Sequence, residues 1–199
     1  MTAIQYGRNI IIIDCGGMFP DPEHLGVDLI IPDFGWVIDN KDLVRAILVT
    51  HGHEDHIGGL PYLLAQVDAP VYATPLTRGL IEVKLKEEGG LGHVRLETIA
   101  PRQPFHVGPF RIEPFHVNHS IPDAVGFAID TPQGCVAVRA VHPMPPISPD
   151  DKRVRDRFLA AVAAAMNERG MPSLIAGDFN ATPWSSAFAP SFTNSAPTV

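Results

Sequence analysis

Residues 50–56 read Thr-His-Gly-His-Glu-Asp-His, so His51, His53, Asp55 and His56 crowd into one short stretch behind the apolar run Ala46-Ile47-Leu48-Val49. Neutral imidazoles and a carboxylate are the donor set of zinc and related first-row metals. Histidines two positions apart, His51 and His53, can converge on one ion, while Asp55 and His56 can face a second. That is the layout of a two-metal hydrolytic site. The competing reading is a polar surface loop, but imidazoles packed this closely repel one another on protonation unless a metal holds them. Such a cluster needs a rigid carrier. The apolar run predicts a buried strand within 41–50 that releases the motif into a loop, where Gly52 allows a tight turn. Gly58-Gly59 then lead into an apolar helix, 60–67.

The remaining elements follow from the same patterns. The nearly all-apolar run 9–15 predicts a central strand buried on both faces. Asp14 falls at its C-terminal end, where open α/β sheets place functional groups. Residues 16–40 are loop-rich, 70–73 read as a short strand, and 75–88 as an amphipathic helix. Its expected inward side is Leu76, Leu80, Val83 and Leu85, with Glu82 and Lys86 paired one turn apart. Strands are expected at 94–99, 110–117 and 124–130, with His119 in the connection between the last two. His24, His93, His106 and His116 have no comparable context and read as surface or satisfied histidines.

A chain of 199 residues with 45% hydrophobic and 19% charged residues can bury a core of ordinary size. A net charge of −7 argues against a basic patch as the main source of affinity for nucleic acid. It does not exclude a nucleic-acid substrate gripped by metal ions, which bring their own charge. The two distant cysteines, Cys15 and Cys135, read as reduced thiols, which places the expectation in the cytoplasm. No leader and no apolar run of membrane-spanning length is apparent, so no membrane partner is expected; the oligomeric state is left open.

The H-x-H-x-D-H spacing of residues 51–56 resembles the metallo-β-lactamase superfamily. Four further stretches are similar to its ribonuclease J-like members: 11–16 with Met18-Phe19-Pro20-Asp21, 26–34, 71–74, and His119-Ser120-Ile121-Pro122-Asp123. The likeness covers about 1–134. It implies an α/β fold, a four-layer α/β/β/α sandwich, here incomplete. It also implies metal ligands at His51, His53, Asp55, His56 and His119, with Asp55 also orienting the attacking water. Asp14 is implied to support the site by hydrogen-bonding the ligand histidines. One or two zinc ions are the implied cofactor, with magnesium or manganese as alternatives, and RNA or another phosphodiester is the implied substrate.

Beyond Gly134 the pattern changes. Ribonuclease J-like proteins end the next strand in an aspartate that bridges both metals; here His142 falls at that place, and an imidazole cannot bridge two ions. Residues 141–146 and 174–185, with Gly177-Asp178-Phe179-Asn180 at their centre, resemble the magnesium-dependent endonuclease/exonuclease/phosphatase family. That resemblance implies that Asp178 and Asn180 position the attacking water and the phosphate. A helix beginning near Ser148, with Val154, Phe158, Leu159, Val162 and Met166 on its apolar face, should precede a buried strand, 174–176. Neither pattern is complete. The first lacks its opening strand, its inserted nucleic-acid-clamping domain and its final metal histidine; the second lacks most of its site.

The expectation is therefore one hybrid sandwich over 1–188, made of halves 1–134 and 135–188, followed by a fraying tail, 189–199. Three functions compete. The first is a ribonuclease J-like hydrolase using a two-metal-activated hydroxide, with Asp178 completing the second metal's ligands. The second is a magnesium-dependent phosphoesterase built on Asp178 and Asn180. The third is a metal-binding hybrid without turnover.

Overall fold

The structure is a computed structural model that describes residues 1–89, 94–117, 119–132, 134–140, 150, 152–154, 156–157 and 173–176. The chain divides into two compact units, Met1–Gly134 and Cys135–Val199.

The first unit opens with strand β1 (Thr2–Tyr6), which the sequence reading did not single out, and β2 (Asn9–Ile13). They pair antiparallel around a turn in which Gly7 takes a φ of 57°. A short helix, α1 (Gly35–Asp39), and a single 3-10 turn (Lys41–Leu43) precede β3 (Val44–Leu48). The strand expected over 41–50 is thus trimmed at both ends. Its polar start is taken by the turn, and at its far end the Thr50 amide is claimed by the Asp14 side chain instead of a neighbouring strand. Two short helices follow, α2 (Glu54–Ile57) and α3 (Leu60–Leu64). The first falls inside the histidine motif, where a loop was expected. Then come β4 (Val71–Ala73), α4 (Pro75–Glu87) and β5 (Leu96–Thr98). β2, β3, β4 and β5 run parallel in a sheet ordered β1-β2-β3-β4-β5.

Both faces of this sheet are covered, which is why β2 is isoleucine throughout its buried length. Ile10, Ile12, Ile47 and Val49 pack with Leu60, Leu63 and Ile81 in one continuous apolar cluster. Ile11 and Leu48, on the opposite face, are also fully buried. A second sheet is built from β6 (Phe105–Val107), β7 (Phe110–His116) and β8 (Val125–Thr131), all antiparallel. Its alternating inward residues Phe110, Ile112, Phe127 and Ile129 are buried. Ring contacts join the sheets: Tyr6 meets Phe110 edge-on at 6.4 Å and Tyr72 stacks on Phe105 at 4.8 Å.

Of the inward side expected for α4, only Leu85 is buried. Thr77, Ile81 and Leu85 are buried, whereas Leu76, Leu80 and Val83 are exposed. The helix carries two apolar stripes, and the sheet covers the one containing the β-branched Ile81. Glu82 pairs with Arg78 at 3.0 Å, not with Lys86. Lys84 instead reaches across to Glu54 on α2.

In the second unit, β9 (Gly134–Ala140) and β10 (Ser173–Ala176) pair in parallel. Residues 150, 152–154 and 156–157 are helical. Val154, expected on that helix's apolar face, is 61% exposed. His142, Asp178 and Asn180 lie outside the described residues. Among the described residues, no helix is long and apolar enough to cross a membrane.

Candidate metal centre

The chemistry-bearing side chains of the first unit gather at the C-terminal ends of its parallel strands, where strand carbonyls give way to turning chain. Asp14 follows β2, Thr50 and His51 follow β3, and Thr74 follows β4.

Asp14 adopts a φ of 55°, a conformation few non-glycine residues tolerate but Asp and Asn enter most readily. That kink ends β2 and turns the carboxylate towards the end of β3. Asp14 Oδ1 accepts the Thr50 amide at 2.8 Å, and Oδ2 accepts the Thr50 hydroxyl at 2.8 Å. Oδ2 also lies 2.8 Å from His56 Nδ1. A carboxylate only accepts, so His56 carries a proton on Nδ1 and presents Nε2 outward.

The segment after Asp14 is laced to α2 through the backbone. The Cys15 amide donates to the His56 carbonyl at 2.8 Å, Gly17 to Glu54 at 3.0 Å, and Gly59 returns a bond to the Cys15 carbonyl at 2.9 Å. This close approach explains Gly16, where a Cβ would sit 1.6 Å from the Asp55 carbonyl oxygen. It also explains why a four-residue helix, too short to persist alone, is held in place. Burial pushes the Cys15 thiol up to about 12, which marks it as a core residue and not a nucleophile.

His119 arrives from the other sheet, on the connection between β7 and β8. That connection is tied to the first sheet at two points. The Val125 amide donates to the Thr50 carbonyl at 2.9 Å. The Thr74 hydroxyl, at the start of α4, donates to the Asp123 carbonyl at 3.0 Å. Neither threonine was singled out in the sequence, because an isolated threonine at a strand end carries no chemical signature of its own.

The outcome is a convergence of imidazoles from two sheets. One ligand-capable atom from each of His51, His53 and His119 lies within 4.8 Å of the others. His51 is 2% exposed, and the other two are half-buried. Ring centroids are 4.8 Å apart for His51 and His53, and 4.1 Å for His51 and His119. The nitrogens of a zinc tetrahedron stand about 3.4 Å apart for Zn–N bonds of about 2.05 Å. The three imidazoles are therefore within a small side-chain adjustment of that geometry, and the donor set fits the ion.

His56 and Asp55 sit alongside. The His56 ring centroid is 3.9 Å from that of His51, and Asp55 Oδ2 lies 3.3 Å from His56 Nε2. Burial draws the His56 imidazolium down, but the hydrogen bond and charge of Asp14, with the charge of Asp55, outweigh it and hold the group above its ordinary value. Asp55 itself is exposed. His106 and His116 are exposed on the second sheet, His24 is exposed in the 16–40 segment, and His93 lies outside the described residues.

A mostly parallel sheet and an antiparallel one, with a histidine cluster at the C-terminal ends of the parallel strands, define a class. The sequence profile of the beta-lactamase superfamily domain matches residues 19–138, and the chain belongs to that superfamily. Its fold is the metallo-β-lactamase fold. It is similar to MEM-A1, a subclass B3 metallo-β-lactamase isolated from a soil metagenome library, with a TM-score of 0.52 and 18% identity over 88% of this chain and 71% of that one. It is also similar to Zn(2+)-bound PqqB from Methylobacterium extorquens, with a TM-score of 0.51 and 17% identity over 76% of this chain and 55% of that one. At these identities the likeness is one of fold.

The sequence relatives are narrower. The chain is 38% identical over 192 residues to Ribonuclease J 1 of Streptococcus pyogenes, covering 96% of this chain and 32% of that protein. It is 46% identical over 135 residues to Ribonuclease J of Mycoplasma genitalium, covering 67% of this chain and 24% of that protein. The chain thus spans a third or less of the length of these relatives, and the streptococcal match continues past Gly134.

Proposed function

We propose that this chain forms the metal-binding part of a ribonuclease J-like nuclease, a hydrolase of phosphodiester bonds in RNA acting in the cytoplasm. The observation that carries the reading is the meeting of His51, His53 and His119, delivered from two different sheets to within 4.8 Å. Similarity to ribonuclease J proteins supplies the substrate class.

In this reading His51, His53 and His119 hold one ion, zinc by donor type. Asp55 and His56 hold a second, with magnesium or manganese as alternatives. When bound, the ions supply Lewis-acid stabilisation of charge developing on the phosphoryl group and acidify water. The protein's own groups do the rest. Asp55, exposed beside His56 Nε2, orients the attacking water. His56 keeps Nδ1 protonated against Asp14, which leaves Nε2 as the ring atom that would meet the ion once any proton there is displaced. The sequence offers Asp178 as a further ligand for that second ion, and with His142 in place of a bridging carboxylate the second ion is expected to be the more weakly held of the two.

The second reading, a magnesium-dependent phosphoesterase using Asp178 and Asn180, draws on one observation: β10 ends at Ala176, directly before Gly177-Asp178. It treats residues 135–188 as a half-domain of endonuclease/exonuclease/phosphatase type joined to the first.

Cleavage of end-labelled RNA and of bis(p-nitrophenyl) phosphate, with and without EDTA, tests both readings. The nuclease reading expects EDTA-sensitive turnover abolished by His53→Ala. Loss with Asp178→Ala alone, while His53→Ala stays active, favours the second reading. Zinc binding without turnover on either substrate leaves a metal-binding hybrid and removes the hydrolase assignment.

A further inference from the structure

The proton inventory around Asp14 reaches beyond His56. The Thr50 hydroxyl has one hydrogen and donates it to Asp14 Oδ2 at 2.8 Å. The same oxygen lies 3.0 Å from His51 Nδ1. With its hydrogen committed, Thr50 Oγ1 can only accept there, so the proton must sit on His51 Nδ1. Thr50 Oγ1 is also 3.3 Å from His56 Nδ1, close enough to share the hydrogen that His56 gives to Asp14. All four groups, Asp14, Thr50, His51 and His56, are more than nine-tenths buried, so water does not compete for these bonds.

We propose that Thr50 is a positioning residue that extends the Asp14 carboxylate to His51 and fixes the His51 proton on Nδ1, leaving Nε2 to bind the metal. One carboxylate thereby sets the tautomers of two histidines, directly for His56 and through the hydroxyl for His51. The backbone makes the relay rigid: the Thr50 amide is anchored on Asp14 Oδ1, and its carbonyl receives the amide of Val125, the first residue of β8, directly after the connection that carries His119. Thr50 therefore stands between both sources of imidazole. The proposal rests on the metal reading above for its consequence, but the tautomer exists with or without an ion.

Two variants and one direct measurement test it. Thr50→Ser keeps the hydroxyl, and Thr50→Val keeps the shape and removes it. Zinc affinity, measured by competition with a chromophoric chelator, is expected to fall about 10- to 100-fold in Thr50→Val, the usual loss for a hydrogen-bond partner behind a metal ligand. Thr50→Ser should stay within about threefold of the parent, far short of that loss. Equal affinity in Thr50→Val, or an equal loss in Thr50→Ser, overturns the proposal. The direct measurement does not depend on either variant folding. Long-range proton–nitrogen correlation spectra of the unsubstituted, EDTA-treated protein should show His51 protonated on Nδ1, and a proton on Nε2 overturns the proposal. A parent protein that binds no zinc sinks the metal reading, while the His51 tautomer still decides the role of Thr50.

Discussion

Replacing Asp14 separates the structural from the chemical part of this centre. Asp14→Ala removes the acceptor of three bonds, leaving the Thr50 amide, the Thr50 hydroxyl and His56 Nδ1 without it in a buried site. Each buried donor so orphaned costs about 1–3 kcal/mol. Alanine at a φ of 55° adds about 1 kcal/mol, since the left-handed region disfavours a Cβ without a local hydrogen bond. Allowing for relaxation, the expected loss is about 3–5 kcal/mol, a large share of a typical 5–15 kcal/mol. Asp14→Asn tolerates the same backbone and keeps one acceptor. It should cost only about 1–2 kcal/mol, but the fixed Thr50 backbone amide claims the one remaining oxygen in the place of Oδ1, so the NH2 takes the place of Oδ2 and faces both the Thr50 hydroxyl and His56 Nδ1. His56 then relieves the clash by moving its proton to Nε2, where it no longer offers a lone pair. Urea midpoints should therefore rank parent, then Asn, then Ala, whereas metal affinity should fall about 10- to 100-fold in Asn already. A folded Asp14→Asn protein that binds zinc as tightly as the parent would refute the reasoning.

Other expectations rest on packing. Gly16→Ala drives a Cβ into the Asp55 carbonyl, so it should lower the urea stability by about 3 kcal/mol or more, because backbone on both sides must move. Cys15, held protonated by burial at about 12, should resist iodoacetamide at pH 8 in the folded protein and react in urea, as peptide mapping would show. Ile81→Ala should cost about 2–5 kcal/mol, and Leu80→Ala less than about 1.5 kcal/mol, because Ile81 is buried and Leu80 is not. Equal losses at the two positions would show that the inward side of α4 is misplaced.

How much of this was legible in the sequence depended on whether chemistry and position travelled together. His51, His53, Asp55 and His56 are adjacent in the chain, so their types and spacing announced a metal motif before any fold was considered. Asp14 was legible because it closes an unbroken apolar run, and the structure brings it against His56 Nδ1. His119 is distant in sequence and was reached through its motif; nothing local says that the β7–β8 connection is pinned by Thr74 and by the Thr50 carbonyl. Thr50 escaped notice because the role proposed for it lies in where its one hydrogen goes, which follows only from the placement of Asp14 and His51 around it. α4 was misread for a different reason: Leu76, Leu80 and Val83 are as apolar as Ile81 and Leu85, and periodicity cannot say which stripe the sheet will cover. β1 was readable in principle, since Thr2, Ile4 and Tyr6 alternate with more exposed neighbours, but such a short polar-apolar alternation is a weak signal.

The most direct test of the metal centre is anomalous diffraction at the zinc edge from crystals of the full chain grown with zinc. The account predicts a strong peak bonded to His51, His53 and His119, and a weaker one near Asp55 and His56. Zinc found only at outlying histidines such as His24 or His106, with no peak among the three clustered imidazoles, would contradict it.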